Sequence, residues 1–398
     1  MLPQDTLALG TRRSAIRELF EYGKKRKAEI GDDKVFDFSI GNPSIPAPEC
    51  LNEAIKELLD TQSAVLLHGY SSAQGDAGVR ATIAEHLNEL HGTHFNADNL
   101  YMTCGAAASL CISLRALLLK DEEVIAFAPF FPEYVVFIEG QGGKVKVVPP
   151  MSDFQPDLEC FERSINSNTR AVIINSPNNP SGVVYSEKTL KAIADVLTKK
   201  SAEFNREIYL IADEPYRELV YDKETVVPFV SKYYKKTLVC YSYSKSLSLP
   251  GERIGYIVVP DEVDDSRNVY ASVCGAGRAL GYVCAPTLFQ QVVAKCVDKT
   301  ADIMIYKENR DLLYNGLKEL GYDCVKPDGA FYLFVKALES DAGAFCEKAK
   351  NHELLIVPGD GFYCPGYVRI SYCVAQETII NSLPAFKALA EDYGVSKK

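Results

Sequence analysis

Between about residues 100 and 260 the chain alternates short runs rich in β-branched and aromatic residues with longer amphipathic ones, and this alternation restricts the fold more than any other feature. Residues 124–128, 144–148, 171–175, 208–212, 237–241 and 256–259 read as strands, and stretches such as 187–199 between them read as helices. A parallel neighbour can be reached only by a crossover, so the pattern predicts an α/β fold with a large, mainly parallel sheet between helices. The flanks differ. Residues 14–30 read as one charged helix, and from about residue 290 long helices surround strands at 330–335 and 367–372, an α+β pattern. Gly41 to Pro48, with three prolines, is a rigid crossing between the two patterns. We therefore expect an N-terminal arm and part of a small domain over residues 1–46, a large domain over 47–285, and a small domain over 286–398.

Composition narrows the function. At 398 residues, 47% hydrophobic and 24% charged, the chain can bury two substantial cores. A formal net charge of −10 argues against a nucleic-acid partner, because phosphate binding needs a basic face. The basic cluster Lys24, Lys25, Arg26 and Lys27 reads as a solvated helix face. The 12 cysteines are scattered through apolar runs without a Cys-x-x-Cys pair, and the start does not resemble a signal peptide, so reduced thiols in the cytoplasm are expected. No apolar stretch approaches the ~20 residues that span a bilayer. His91-Gly92-Thr93-His94, with His86 nearby, lacks a cysteine or carboxylate at ligand spacing, and no metal site is expected. Gly275 to Gly281, read as a glycine-rich loop, has the wrong spacing and no preceding strand for a dinucleotide fingerprint.

The chemistry concentrates at strand ends. Lys245 follows the 237–241 strand in Ser242-Tyr243-Ser244-Lys245-Ser246, ringed by hydroxyls and with a second cation at Arg253, which suits an amine that forms a Schiff base beside an anion. Asp213 ends another strand in Ala212-Asp213-Glu214-Pro215-Tyr216. Asn175-Ser176-Pro177-Asn178-Asn179-Pro180-Ser181-Gly182 follows a third and is a turn by composition. Thr103-Cys104-Gly105-Ala106-Ala107-Ala108 puts a glycine ahead of a strong helix former, where free N–H groups can bind phosphate. Arg369 stands alone in the apolar strand Tyr367-Val368-Arg369-Ile370-Ser371, and a buried guanidinium must meet an anion, either a structural carboxylate or a substrate.

In this order, the runs resemble the class I aminotransferases, the pyridoxal-phosphate family with the aspartate aminotransferase fold, over nearly the whole chain from Gly41 to Arg369. The resemblance implies that the large sheet is of the seven-stranded type, and that pyridoxal 5'-phosphate is the cofactor, held by Lys245 as the catalytic Schiff-base lysine. It implies Asp213 against the ring nitrogen, Tyr216 and Asn179 as donors to the phenolate oxygen, and Phe131 stacked on the ring, with Phe130 the alternative by one residue of slippage. Phosphate contacts fall to Gly105, Ala106, Ala107, Ser242, Arg253 and, from a partner subunit, Tyr70 in His68-Gly69-Tyr70-Ser71. The chain departs from the family in having no hydroxyl or amine side chain in the Gly105–Ala107 triplet, so those contacts would be backbone only. Arg369, Gly41 and Asn179 would hold the substrate's α-carboxylate, and Arg278 the side-chain carboxylate of a dicarboxylic donor. The activity implied is ping-pong transfer of an amino group from an L-amino acid, aspartate among the candidates, to a 2-oxo acid such as 2-oxoglutarate, in a homodimer with shared sites. Alternatives are a carbon–sulfur β-lyase using the same apparatus, and a non-catalytic cofactor-binding regulator, although no DNA-binding segment precedes residue 14.

Overall fold

The computed structural model describes residues 2–11 and 15–395. Its strands, in chain order, are β1 (Phe36–Asp37), β2 (Leu100–Thr103), β3 (Glu123–Phe127), β4 (Lys144–Val148), β5 (Thr169–Asn175), β6 (Tyr209–Asp213), β7 (Thr237–Ser242), β8 (Gly255–Val258), β9 (Tyr332–Lys336), β10 (Leu354–Leu355), β11 (Val357–Pro358) and β12 (Tyr367–Ser371). Seven of them form one sheet in the order β2-β8-β7-β6-β5-β3-β4. Pairing is parallel from β4 through β7, whereas β8 is antiparallel to both β7 and β2. This is the α/β architecture expected from the alternation. β2 was not expected, and its place is decided by pairing with β8.

Period-two alternation sends the strands' side chains into two separate cores. Leu238 and Cys240 of β7, Ile211 of β6 and Ile257 of β8 face a core closed by the helices Ala106–Leu117 and Ser266–Ala279. Val239, Tyr241, Leu210 and Val258 face the other, closed by the helices Ala77–His91 and Glu187–Glu203. Each large aliphatic side chain so buried contributes roughly 1.5–3 kcal/mol. A third core gathers Phe38 and Ile45 from near the N-terminus with Leu333 and Val335 of β9, Val368 and Ile370 of β12, and the helices Met304–Glu319 and Gln376–Asp392. There β9, β12 and β11 form an antiparallel sheet, and β1 pairs with β10, tying the N-terminal segment to the C-terminal part of the chain. The expected 14–30 helix runs Ala15–Ile30; Ser14 lies outside the described residues.

The expected glycine-rich loop at 275–281 is corrected. Gly275, Gly277 and Arg278 belong to the helix Ser266–Ala279, and a Cβ on Gly277 would lie 2.1 Å from Tyr101 Oη. Glycine is there to let the helix approach the sheet, at a propensity cost of about 1 kcal/mol.

One stitch joins the large sheet's loops to β9. Gly182 sits at φ 73° in the left-handed region, its carbonyl accepts from the N–H groups of Asp328 and Gly329, and an added Cβ would lie 2.5 Å from Pro327 Cβ. Gly182→Ala is expected to destabilise the protein by ~1–3 kcal/mol, read from denaturant unfolding; unchanged stability would show that the turn is free to relax.

Candidate active site

Because β8 is antiparallel to both neighbours, β2 runs in the same direction as β7, and the carboxyl ends of β2, β3, β5, β6 and β7 emerge at one edge of the sheet. Crevices beyond such ends are where open α/β sheets bind ligands. Here a cavity of about 310 Å³ is lined by Asn175, Asp213, Ser242, Lys245 and Arg253 from the sheet edge, and by Gly41, Tyr332 and Arg369 from the other sheet and its crossing.

At one end, the helix Ala106–Leu117 begins against the cavity with Ala106 and Ala107, after Gly105 at φ 88°. A Cβ on Gly105 would lie 2.9 Å from Arg253 Nη2. Gly255, which opens β8, has room for no side chain: a Cβ would fall 2.2 Å from Tyr241 O and 3.1 Å from Gly105 Cα. The loop after β2, the start of β8 and the end of β7 thus converge, bringing the helix N-terminus, Arg253 and Ser242 together. Ser242 Oγ lies 2.8 Å from Ser244 Oγ and caps the short turn that carries Lys245. Among the described residues Arg253 makes no ion pair, leaving a guanidinium, hydroxyls and N–H groups that can hold a phosphate.

Asp213 is buried, and Tyr134 donates a short hydrogen bond to its Oδ2. Its Oδ1 is buried with no partner. Burial pushes the carboxyl up to about 7, the Tyr134 hydrogen bond works against that rise, and the neighbouring Glu214 adds to it. A carboxylate oxygen of this kind fits a protonated ring nitrogen. Asn175 locks the loop beside it, donating from Nδ2 to Asp213 O at 2.8 Å and accepting from Asn179 N at 2.7 Å. Phe131 lines the cavity, whereas Phe130 is buried against Tyr134 and Tyr363, so the first of the two expected stacking positions is the one facing the space.

Lys245 Nζ donates to Gly41 O at 2.8 Å and lies 5.2 Å from the centroid of Phe331. Desolvation lowers its pKa to about 8; the Cys373 thiol opposes the fall, and Arg369 and Arg253 reinforce it. Near neutrality the amine is therefore poised to lose its proton. Arg369 is buried, donating to Ser39 O at 2.6 Å and to Asn179 Oδ1 at 3.2 Å, with Nε unpartnered and the guanidinium over the rings of Tyr332 and Phe362. No carboxylate pairs with it among the described residues, which leaves it open to a ligand anion. Burial lowers its pKa. Tyr216 Oη lies 3.0 Å from Tyr332 Oη.

Of the residues expected from sequence, Lys245, Ala106, Ala107, Phe131, Asn179, Asp213, Tyr216, Ser242, Arg253, Gly41 and Arg369 line this one cavity, and Gly105 stands directly behind it. Two are not brought there by their own chain. Tyr70 is 92% exposed after the short helix Ala64–His68, and Arg278 is exposed in the last turn of its helix. Sequence reasoning missed Tyr332, Tyr134, Asn175 and Ser39. Asn175 opens a phrase already singled out and Tyr134 lies three residues beyond Phe131, but Tyr332 carries no local signal beyond its strand. His91, from the rejected metal cluster, stacks on Phe229 with centroids 4.3 Å apart, and among the described residues no group of acidic, His and Cys side chains could hold a metal ion. No described helix is long and apolar enough to cross a membrane.

The site's fit to pyridoxal phosphate agrees with what the chain resembles. A family model for aminotransferase class I and II matches residues 33–384. An aspartate aminotransferase of Thermotoga maritima is 33% identical over 377 residues, covering 92% of this chain and 95% of the relative. An aspartate aminotransferase of Pyrococcus horikoshii is 28% identical over 387 residues, covering 94% and 93%. A solved aminotransferase from Eubacterium rectale superposes with a TM-score of 0.97 at 63% identity, covering 99% of both chains.

The displaced titration of Asp213 has a measurable sign. Between the unfolded carboxylate's value of 3.8 and the folded value of about 7, the folded chain holds a proton that the unfolded chain has released, so this group makes stability fall as pH rises through that window. In the cofactor-free protein, Asp213→Asn is expected to raise Tm relative to wild type at about pH 8 and to leave the difference small at about pH 4, an effect of order a few kcal/mol. Thermal melts at both pH values check this; a pH-independent difference would contradict it.

Proposed function

We propose a substrate and a working cycle for this chain, which belongs to the class I and II aminotransferase family and is a pyridoxal-phosphate-dependent aminotransferase. The observation that carries the reading is the coincidence, in one cavity, of a desolvated amine with a lowered pKa, a buried carboxylate oxygen without a partner and a buried guanidinium without a counter-ion among the described residues. Each of the last two is costly unless a ligand completes it.

The cofactor, when bound, supplies an electron sink for the bonds around the substrate's α-carbon. Asp213 would keep the proton on the ring nitrogen, aided by Tyr134, whose hydrogen bond favours the charged carboxylate against the effect of burial. Tyr216 and Asn179 would donate to the ring oxygen, and Phe131 would cover the ring. Ser242, Arg253 and the N–H groups at Gly105, Ala106 and Ala107 would bind the phosphate. Lys245 would anchor the cofactor at rest and, as a free amine, would accept and return the proton of the substrate's α-carbon, with a pKa close to working pH as efficient general acid–base catalysis requires. Arg369 and Asn179 would fix the α-carboxylate, and Gly41, whose carbonyl already holds the Lys245 amine, would add its N–H. An L-amino acid gives up its amino group and leaves as a 2-oxo acid, and a second 2-oxo acid such as 2-oxoglutarate takes the group in a ping-pong cycle.

Aspartate is our proposed donor, with Arg278 as the second carboxylate's partner only if it reaches a neighbouring subunit's cavity. We propose the division into residues 1–46, 47–285 and 286–398, a cytoplasmic location, and a homodimer with shared sites. The dimer is supported by Val65, Leu66 and Tyr70, which are 81%, 67% and 92% exposed on one short segment.

Three outcomes are expected. Borohydride should fix the cofactor to the peptide containing Lys245, and Lys245→Ala should retain cofactor while losing turnover; label on another lysine would overturn the assignment. A donor panel against 2-oxoglutarate should favour aspartate, and Arg278→Ala should weaken catalysis with aspartate by ~2–4 kcal/mol while sparing alanine. Pyruvate and ammonia released from cysteine conjugates without an acceptor would instead make it a β-lyase. Mixed dimers of inactive Tyr70 and Lys245 variants should recover part of the activity, since one of their sites keeps both residues; verified hybrids without activity would place Tyr70 elsewhere.

A further inference from the structure

Tyr332 touches several of the groups on which the site depends. In the β9–β12 ladder Ser371 lies opposite Tyr332 and Arg369 opposite Phe334, so Arg369 is the diagonal neighbour of Tyr332 on the same face. Its guanidinium sits 4.7 Å from the Tyr332 ring centroid. The Tyr332 hydroxyl occupies the space that a side chain at Gly41 would need: an ideal Cβ there would lie 2.0 Å from Tyr332 Oη and 2.7 Å from its Cζ. Gly41 is the residue whose carbonyl holds Lys245 Nζ. At 3.0 Å, Tyr216 Oη is the only hydrogen-bond partner of Tyr332 Oη among the described residues.

The 3.0 Å separation lets either phenol donate, and the reading of Tyr216 as a donor to the ring oxygen selects Tyr332 as the donor between them. Burial raises the pKa of both phenols, Tyr332 to about 12 and Tyr216 well above its ordinary value, so both keep their protons. Two neutral phenols in contact use one proton between them and leave the acceptor's proton free. Both tyrosines line the cavity; Tyr332 Oη is covered on one side by Gly41, and when it donates to Tyr216 Oη the Tyr216 proton is left for a ligand there. We propose that Tyr332 is a positioning residue whose hydroxyl donates to Tyr216 Oη and so aims the Tyr216 proton into the cavity, while its ring supports the Arg369 guanidinium. This rests on the reading that Tyr216 donates to the cofactor's ring oxygen. A hydroxyl that accepts one hydrogen bond donates a stronger one, so the Tyr332–Tyr216 pair stabilises negative charge on that oxygen more than Tyr216 alone would.

The test follows the visible absorbance of the cofactor-loaded enzyme against pH, because charge on the ring oxygen sets where the Lys245–cofactor linkage titrates. Tyr332→Phe removes the hydroxyl and keeps the ring. Its transition should move up by roughly half a pH unit, with KM for the amino donor changed less than about twofold. Tyr332→Leu, which removes the ring as well, should add a several-fold rise in KM, on the order expected from losing a desolvated cation–π contact. Tyr216→Phe should shift the transition further, and the double variant Tyr216→Phe/Tyr332→Phe should shift no more than Tyr216→Phe alone, because Tyr332 acts through Tyr216. Gly41→Ala, which displaces the phenol without altering either tyrosine, should reproduce the upward shift. A shifted Tyr216→Phe beside an unshifted Tyr332→Phe overturns the proposal and leaves the Tyr216 reading standing. If neither variant moves the transition, the Tyr216 reading fails and the proposal fails with it. Additive shifts in the double variant would mean that Tyr332 acts on the cofactor directly, which also overturns it.

Discussion

Arg369 and Asp213 come from different sheets, are buried against one cavity, and meet no opposite charge from the described protein. Desolvating an ion without a partner costs several kcal/mol even after relaxation, so both are tolerable only where the surrounding fold is stable enough to carry them and a ligand completes them. That constraint reaches outward. Tyr134 and Asn175 are fixed against Asp213, and Ser39, Asn179, Tyr332 and Phe362 surround Arg369 with carbonyl, amide and aromatic faces instead of carboxylates. Other buried arginines do find acids: Arg217 pairs with Glu214 and Arg310 with Asp222. The contrast separates charges paired within the fold from charges left without a protein counter-ion among the described residues.

Backbone proximity delivers the remaining groups. Gly255 and Gly105 allow β7, β8 and the helix start after β2 to meet where a phosphate can bind, and Gly41 allows the crossing segment to lie on Tyr332 while its carbonyl holds Lys245. In each case the glycine's value is the missing Cβ, since any side chain would occupy space already filled by a neighbour. The large cores on either side of the sheet make such approaches affordable by fixing the strands independently of the site.

The phrases around Lys245, Asp213, Asn179, Gly105 and Phe131 were legible because each sits at the end or start of a recognisable strand or helix, and the shared direction of the strands sends those ends to one edge; Arg369 was legible as a lone cation in the apolar strand β12 of the other sheet. Tyr332 was not legible. A tyrosine in an apolar strand looks like core, and its importance comes from Tyr216, Arg369 and Gly41, all distant in sequence. The glycine-rich segment at Arg278 misled for a related reason: glycine there serves close packing of a helix on Tyr101, a cause visible only when the partner surface is known.

By itself, the sequence determined the α/β class and most of the polar and charged residues that meet in the cavity, because strand and helix periodicity and strand-end phrases are local properties of the chain. The tertiary structure alone decided that β8 runs against its neighbours, that Phe131 rather than Phe130 faces the cavity, that Arg369 has no protein counter-ion, and that Lys245 is desolvated to a pKa of about 8. Those depend on what lies across a gap in space, and desolvation and hydrogen-bond partnership are set by neighbours that the order of residues does not name.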